Sequence, residues 1–205
     1  MNPIDRLTQA FERFPGIGPR QARRFVQFLL VQPGAFRAAL AQDLGKLGAN
    51  TFQCSECFRW SVKSADDTVL CNICGNSRRE KGILFVVEKD ADIDNVERSG
   101  FKGVYFVLGG TVPLAAEEPQ SHIRMRELVA RVERDGSDLV LTELILGLSA
   151  TTEGDHTRQL LSEKLRPMSQ GFNFRLSSLG RGLSTGSEIE YADPDTIASA
   201  LSSRS

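Results

Sequence analysis

The chain has 205 residues, of which 40% are hydrophobic and 25% are charged, a composition that is ordinary for a soluble globular protein. No apolar run approaches the roughly 18 residues that a membrane-spanning helix needs. The formal net charge of −1 hides an asymmetry. Residues 1–53 carry seven Lys or Arg against three Asp or Glu, a local +4, whereas residues 83–205 carry thirteen against nineteen, a local −6. This division predicts a basic end that binds a polyanion and an acidic end that contacts something else.

Three short helices are predicted in the first fifty residues. Asn2 and Pro3 form a typical helix start, with a capping side chain followed by proline at the first helical position. The glycines and prolines of residues 14–19 must break this helix, a second helix begins at Pro19, and a third follows Pro33. A helical module of this size buries little core alone, so we expect it to pack against a neighbour or a second copy of itself.

The turn between the first two helices is the strongest signal for nucleic-acid binding. Gly16 and Gly18 leave unpaired backbone N–H groups at the positive end of the second helix, where a phosphate can bind. Arg20, Arg23 and Arg24 project from the start of that helix. The pattern resembles a helix-hairpin-helix, which holds the sugar–phosphate backbone without reading bases. The alternative is an ordinary helical hairpin with a solvated arginine face, but the flanking prolines and the local charge of +4 favour DNA binding.

The four cysteines form two Cys-x-x-Cys pairs separated by thirteen residues. Four thiolates around one tetrahedral ion are typical of a structural Zn²⁺ site, with no open position left for chemistry. The competing interpretation is two disulfides. A chain that begins Met-Asn-Pro-Ile-Asp, without an apolar signal segment, is expected to stay in a reducing cytoplasm where disulfides do not last. The spacing therefore predicts one structural Zn²⁺ per chain, held by Cys54, Cys57, Cys71 and Cys74.

The residues between and after the cysteine pairs complete this module. Trp60 lies in a stretch that alternates apolar with basic or polar residues, as a short ribbon strand does. Its ring could stack on a base, but a small zinc module usually needs a large aromatic core residue, so we predict that Trp60 is packed inside. Arg78, Arg79 and Lys81 follow the last cysteine, and the sequence leaves open whether they extend a phosphate track or keep a loop soluble.

The rest of the chain alternates strands with helices. The apolar runs at residues 83–87 and 104–108 and a third run within residues 139–146 predict buried strands. Helical periodicity covers residues 124–134 and 157–165. This alternation indicates an α/β domain with a small, mostly parallel sheet that is covered on both faces.

Acidic residues follow two of these strands, at the edge where such sheets bind ligands. Glu88, Asp90 and Asp92 come directly after the first strand, and Glu153 follows the third. They could bind Mg²⁺ weakly, as in a magnesium-dependent nicking or priming enzyme, or the aspartates could cap and charge the next helix. Residues 149–153 lack the Asp-x-Asp that a working metal site needs, and no P-loop motif occurs. We therefore predict a binding protein without catalytic residues.

Gly180, Gly182 and Gly186 predict a flexible segment before the C-terminus. Asp193 and Pro194 then have the pattern of a helix cap and first helical position, which predicts a short last helix. A helix with so few apolar residues is marginal unless it docks on its own domain or on a neighbouring subunit.

Taken in order, these motifs resemble the RecR family of bacterial recombination mediators over nearly the full length. The matching stretches are FPGIGPR at 14–20, the four cysteines, FVVE at 85–88, VLGG at 107–110, TEG at 152–154 and EYAD at 190–193. The resemblance implies an α+β multi-module chain. Its parts are a helix-hairpin-helix DNA-binding module at 1–53, a C4 zinc finger at 54–82, an α/β Toprim domain at 83–176, and a C-terminal segment and helix at 177–205.

The resemblance also implies partners and assembly. RecR-like chains form homo-oligomers, so a dimer or a tetrameric ring that clamps single- or double-stranded DNA without sequence preference is expected. They act with RecO and RecF to load RecA at gaps, which implies a cytoplasmic, nucleoid-associated protein. The matching DNA-contact positions are Arg20 and Arg24. The family's RecO contact lies in the Toprim domain, and we assign it to Glu88, Asp90, Asp92 and Glu153.

The chain departs from the family pattern at three places. Residues 147–151 read Gly-Leu-Ser-Ala-Thr where Ala-Thr-Asn-Pro-Thr is usual. Ser177 and Ser178 replace a usual Thr-Arg pair, and Ser184 replaces a usual proline. The cores of the motifs are kept, so the resemblance still implies the fold, but it implies no specific partner or subunit contact at these three places.

Overall fold

The computed structural model describes residues 1–63, 68–180, 182–183 and 186–202, and Ser184 lies outside these ranges. The chain divides into two compact units, Met1–Thr51 and Phe52–Ser205. None of the described helices is both long enough and apolar enough to cross a membrane.

Three helices build the N-terminal unit: α1 (Pro3–Glu12), α2 (Pro19–Val31) and α3 (Gly34–Asn50). Each begins where the prolines and glycines of the sequence predict, at Pro3, Pro19 and Gly34. The Asn2 side chain accepts a hydrogen bond from the Asp5 backbone N–H at 2.9 Å, so the predicted N-cap of α1 is confirmed.

The N-terminal unit buries little apolar surface. Phe11 of α1 packs edge-to-face on Phe25 of α2, with ring centroids 5.7 Å apart. Ala22 and Val26 are its buried hydrophobic residues among those described, and α3 contributes none. Large apolar side chains stay exposed instead: Phe14, Phe28, Leu30, Val31, Phe36, Leu44 and Leu47. Large apolar side chains that stay in water on one small unit are typical of a surface that another subunit or protein covers.

A short two-stranded ribbon opens the second unit. It consists of β1 (Thr51–Gln53) and β2 (Trp60–Val62), which flank the first cysteine pair. The prediction that Trp60 packs inside this module is wrong, because its side chain lies on the surface and the residue is 59% exposed. Phe52, Phe58 and Leu70 pack against the buried cysteines in its place.

A four-stranded parallel sheet forms the centre of the second unit. Its strands are β3 (Glu80–Val87), β4 (Gly103–Val107), β5 (Glu143–Gly147) and β6 (Arg175–Ser178), in the order β4-β3-β5-β6. Its helices are α4 (Asp90–Arg98), α5 (Met125–Ser137) and α6 (Thr152–Phe172). The predicted α/β class with a mostly parallel sheet is confirmed. The short strand β6 was not predicted, because Arg-Leu-Ser-Ser lacks the apolar run of a buried strand.

The third predicted strand begins later than the apolar run at residues 139–146 indicates. Leu139 adopts a left-handed φ of 55° and is 83% exposed. The backbone N–H groups of Val140 and Leu141 both donate to the carbonyl of Asp135, at 3.0 and 3.1 Å. These bonds cap the end of α5, so the first apolar residues of the run form a turn and β5 starts at Glu143.

The last helix is α7 (Pro194–Ser202). The Asp193 carboxylate accepts a hydrogen bond from the Thr196 backbone N–H at 2.9 Å, so the predicted cap and helix start are confirmed. Hydrogen bonds from the Thr196 hydroxyl and backbone lower the pKa of Asp193 below its ordinary value.

The contact between the central strands predicts the effect of a glycine substitution. A Cβ atom at Gly147 would lie 1.9 Å from a ring carbon of Phe85, so Gly147→Ala should destabilise the protein by about 1–3 kcal/mol through overpacking. At Gly171, in α6, no described atom lies within 4 Å of the same position, and Gly171→Ala should keep or raise stability by up to about 1 kcal/mol. Urea denaturation compares the two. Wild-type stability in Gly147→Ala would contradict this packing.

Candidate metal centre and nucleic-acid interface

The four cysteines converge into one buried cluster. Their sulfur atoms all lie within 4.8 Å of one another, and none forms a disulfide. Cys57 Sγ and Cys71 Sγ are 3.5 Å apart. Tetrahedral Zn²⁺ with Zn–S bonds of about 2.3 Å requires sulfurs about 3.8 Å apart, so the cluster fits such an ion. The structure thus brings the four predicted ligands together in a group that could bind a metal ion.

Backbone N–H groups support this cluster. The Cys71 N–H donates to Cys54 Sγ at 3.3 Å, and the Cys74 N–H donates to Cys71 Sγ at 3.4 Å. Hydrogen bonds from the other thiols, Cys57 foremost, lower the pKa of Cys54, whereas hydrogen bonds with its neighbours raise the pKa of Cys74. Four thiolates this close repel one another, so full deprotonation needs a bound cation.

The first cysteine pair is joined to the sheet through its own turn. The Val107 N–H at the end of β4 donates to the Cys57 carbonyl at 2.8 Å. Phe58 adopts an unusual φ of 63°, which places its ring 5.3 Å from that of Phe106. The Arg124 guanidinium lies over the same Phe58 ring, 5.3 Å from its centroid. The turn between the two ligands is therefore packed against strand β4.

A charged network ties the same turn to α5. Arg134 contacts both carboxylate oxygens of Glu56, at 3.1 and 2.5 Å, and Arg131 reaches Glu56 as well. Both arginines also contact Asp135. The hydrogen bond with Glu56 raises the pKa of Arg134 above its ordinary value. The sequence prediction missed these residues. The feature of the sequence that could have pointed to them is Glu56 inside the first Cys-x-x-Cys pair, but its position does not reveal which residues it contacts.

Arg79 joins the segment that follows the second cysteine pair to α4 and to the loop before β4. Its guanidinium donates to the Phe101 carbonyl at 2.9 Å and forms an ion pair with Glu97, which also accepts a hydrogen bond from the Tyr105 hydroxyl at 2.5 Å. Burial opposes ionisation of Glu97, but the hydrogen bonds from Arg79 and Tyr105 outweigh it and lower its pKa. This contact contributes its full stabilisation when the pH is above the unfolded-state pKa of Glu97. The contribution is lost as the pH falls through the lower, folded-state pKa. Arg79 is therefore structural. Arg78 and Lys81 are exposed, and they are the residues of this segment that could contact a phosphate.

The predicted phosphate-binding turn lies at the start of α2. Gly16 has a φ of 76°, a conformation that favours glycine, and Gly18 is the N-cap residue of α2. Within the described residues, no side chain caps this helix end, so its first N–H groups are left without a side-chain acceptor. Three exposed arginines follow along the helix: Arg20, Arg23 and Arg24. The turn thus presents backbone donors and cationic side chains at one helix start.

Glu88 and Glu153 occupy different environments after β3 and β5. Glu88 is 8% exposed, and its carboxylate accepts hydrogen bonds at 2.6 Å from both the backbone N–H and the hydroxyl of Ser149. Glu153 is exposed and accepts a 3.2 Å hydrogen bond from the Thr111 hydroxyl. Glu88 therefore joins the ends of the two central strands. Ser149 lies in residues 147–151, where the sequence departs from the family pattern. That departure was the feature of the sequence that could have drawn attention to Ser149.

The two aspartates belong to the first turn of α4. Asp90 accepts a hydrogen bond from the Trp60 backbone N–H at 2.7 Å and forms an ion pair with Arg59 at 3.2 Å. Asp92 accepts a hydrogen bond from the Lys89 backbone N–H at 2.9 Å, so the predicted capping role is confirmed. Across the described part of the chain, the cysteines are the only group of three or more potential ligands within reach of one metal ion. The structure does not bring the four carboxylates together around a shared Mg²⁺.

Comparisons with known proteins identify the family. Family models match as "RecR, helix-hairpin-helix" over residues 4–47, "Toprim domain" over residues 82–175 and "RecR, C-terminal" over residues 182–205. Recombination protein RecR of Cereibacter sphaeroides is 38% identical over 202 residues, which cover 98% of this chain and 95% of that protein. The chain belongs to the RecR family.

Other relatives extend the match. Recombination protein RecR of a Synechococcus strain is 38% identical over 203 residues, covering 98% of this chain and 96% of that protein. The protein of the same name from Carboxydothermus hydrogenoformans is 36% identical over 204 residues, with the same coverage. The resemblance read from the motifs is confirmed, together with the hairpin and Toprim parts of the fold.

The buried Glu88–Ser149 contact predicts a difference between two hydroxyl deletions. Ser149→Ala removes one donor from a buried carboxylate and should destabilise the protein by about 1–2 kcal/mol. Thr111→Val removes a donor from the exposed Glu153, which water replaces, and should cost less than about 0.5 kcal/mol. Equilibrium denaturation of both variants decides this. Equal losses in the two would show that burial of Glu88 does not strengthen the contact.

Proposed function

We propose that this RecR-family protein is a DNA-binding mediator of recombinational repair that acts with RecO and RecF to load RecA at gaps. The observation that carries the proposal is the uncapped start of α2, where the Gly16–Gly18 turn precedes exposed arginines. A phosphate seated there accepts backbone N–H bonds and lies at the positive end of the helix dipole. Because phosphates carry no sequence information, the protein binds DNA without sequence preference.

The acidic edge of the sheet contacts protein rather than DNA in this proposal. Glu88, Asp90, Asp92 and Glu153 are the residues assigned to RecO binding, and the exposed Glu153 among them repels a phosphate backbone. Glu153 is exposed and is the most accessible of them, whereas Glu88 acts through the loop that it holds. In this proposal the protein performs no turnover, and each of these carboxylates has a partner within the fold.

The N-terminal unit also carries self-association. Its three helices surround an apolar groove of about 610 Å³. Ile4, Leu7, Leu40 and Leu44 lie along this groove, and all four are exposed. A second copy of the unit presents the same surface and can cover it, while Arg37 at the groove donates to the Leu29 carbonyl at 3.2 Å within its own chain. Several phosphate-binding turns in one oligomer then raise the affinity through effective concentration, as in a clamp around DNA.

The cysteine cluster is proposed to hold one structural Zn²⁺ per chain. Bound there, the ion neutralises the thiolates and fixes the two turns in place, and its four-sulfur coordination leaves no site for substrate. The purified protein should contain about one Zn²⁺ per chain by elemental analysis. Cys71→Ser should lose the metal and much of its stability, whereas Ser55→Ala, beside the cluster, should keep both. A folded, fully stable Cys71→Ser protein would contradict the structural role.

The DNA-binding proposal predicts a charge-specific loss. Arg20→Ala combined with Arg24→Ala should weaken DNA binding and reduce the slope of log K against log salt by about one unit per lost phosphate contact. The matched control is Arg98→Ala with Arg175→Ala, which removes the same charge from exposed positions of the second unit. Fluorescence anisotropy with labelled DNA at several salt concentrations measures both. An unchanged slope in the first variant, or an equal change in the control, would exclude α2 as the phosphate-binding element.

The assembly proposal predicts a change in mass. Leu44→Glu places a charge in the apolar groove and should shift the protein to a smaller species in light scattering over a range of concentrations. Leu139→Glu changes an exposed leucine outside the groove and should leave the mass unchanged. The same mass for Leu44→Glu and the wild type would place the subunit contact elsewhere.

A further inference from the structure

Trp60 is the one tryptophan of the chain, and the ribbon presents it to solvent. Trp60 and Val62 point to the same side of β2 because side chains alternate along a strand, and they are 59% and 75% exposed. The backbone beneath them is fixed, since β2 pairs with β1 and the Trp60 N–H donates to Asp90 at 2.7 Å. Folding of the module leaves most of the Trp60 surface uncovered. Packing within the chain therefore does not account for a tryptophan at this position.

A cleft of about 450 Å³ opens beside the Trp60 ring. Its lining combines apolar residues with neutral polar ones. The apolar residues include Phe52, Trp60, Val62 and Leu70, and the neutral polar residues are Ser61, Thr68 and Asn72. This combination suits a flat heterocycle, which has apolar faces and hydrogen-bonding edges.

The charge around the cleft argues against a phosphate as the group bound there. Arg59 is the charged residue among the described lining residues, and it pairs with Asp90 at 3.2 Å and lies 4.0 Å from Asp94. The guanidinium is thereby neutralised by the first turn of α4. A ligand in this cleft is therefore held by stacking and neutral hydrogen bonds, while its charged parts remain in water.

We propose that the Trp60 cleft binds an unpaired nucleobase of single-stranded DNA by stacking it on the indole ring. This inference rests on the proposed DNA-binding function and adds a second kind of contact to it. The α2 turn binds phosphates, which duplex and single-stranded DNA share. A base can enter the cleft only when it is neither stacked on an adjacent base nor paired with a base of the other strand. The cleft thus favours gapped or single-stranded DNA over intact duplex.

The test uses the fluorescence of Trp60 in the full-length, metal-loaded protein. Oligothymidylate should quench the emission, because the base stacks directly on the only indole in the chain. An abasic oligonucleotide of the same length carries the same phosphates and should bind through α2 without quenching. Intact duplex DNA should bind with little change in emission.

Substitutions then separate stacking from charge. Trp60→Ala should weaken binding of labelled oligothymidylate by about 5- to 150-fold, the range expected for one lost base–aromatic stack, without changing the salt slope. Trp60→Phe keeps a smaller ring and should recover part of the affinity. Leu139→Ala removes an exposed apolar side chain elsewhere in the second unit and should have no effect. Circular dichroism verifies that each variant is folded.

The outcomes are distinct. DNA binding that persists in Trp60→Ala with full affinity, or equal quenching by the abasic strand, overturns the base-stacking inference and leaves the DNA-binding function intact. Absence of binding to any DNA would instead contradict the proposed function. Quenching by a protein partner but not by oligothymidylate would identify the cleft as a protein-docking surface and also overturn the inference.

Discussion

The packing of four cysteine sulfurs against one face of the sheet is the constraint on which the second unit depends. Cys54, Cys57, Cys71 and Cys74 belong to the same hydrophobic cluster as Phe85, Val87, Tyr105 and Val107 of the central strands. A buried group of thiols that must ionise together is unstable without a cation. Because the cluster supports both the ribbon and strand β4, metal binding and folding of this unit are expected to be linked.

The two units divide two chemical tasks. The N-terminal unit combines exposed arginines, an uncapped helix start and a large apolar surface, so it is suited to phosphates and to a second copy of itself. In the second unit, the acidic residues beside the sheet are engaged in capping and in contacts between elements. Trp60 is the exception on this side, since it lies on the ribbon beside the cysteine cluster and is 59% exposed. Under the proposed function, phosphate contacts would supply salt-dependent affinity, and the ribbon would add a preference for unpaired bases.

Local signals predicted most of the fold, whereas contacts between distant residues escaped prediction. The caps at Asn2 and Asp193 and the cysteine pairs depend on neighbouring residues, and the sequence displays them directly. The turn at Leu139 and the contact of Glu88 with Ser149 depend on residues brought together by packing. Trp60 was misplaced because hydrophobicity alone predicts burial, while the space inside the module was already filled by Phe52, Phe58 and Leu70.

Native-state hydrogen exchange before and after metal removal tests the linkage between the cysteine cluster and the sheet most directly. The amide of Val107 reports on the edge strand that bonds to Cys57, and the amides of β3 report on the centre of the sheet. If the cluster supports this unit, chelation will increase exchange at β4 first and at β3 as well, while α1 and α2 keep their rates. Unchanged protection of β4 and β3 in the metal-free protein would contradict this account.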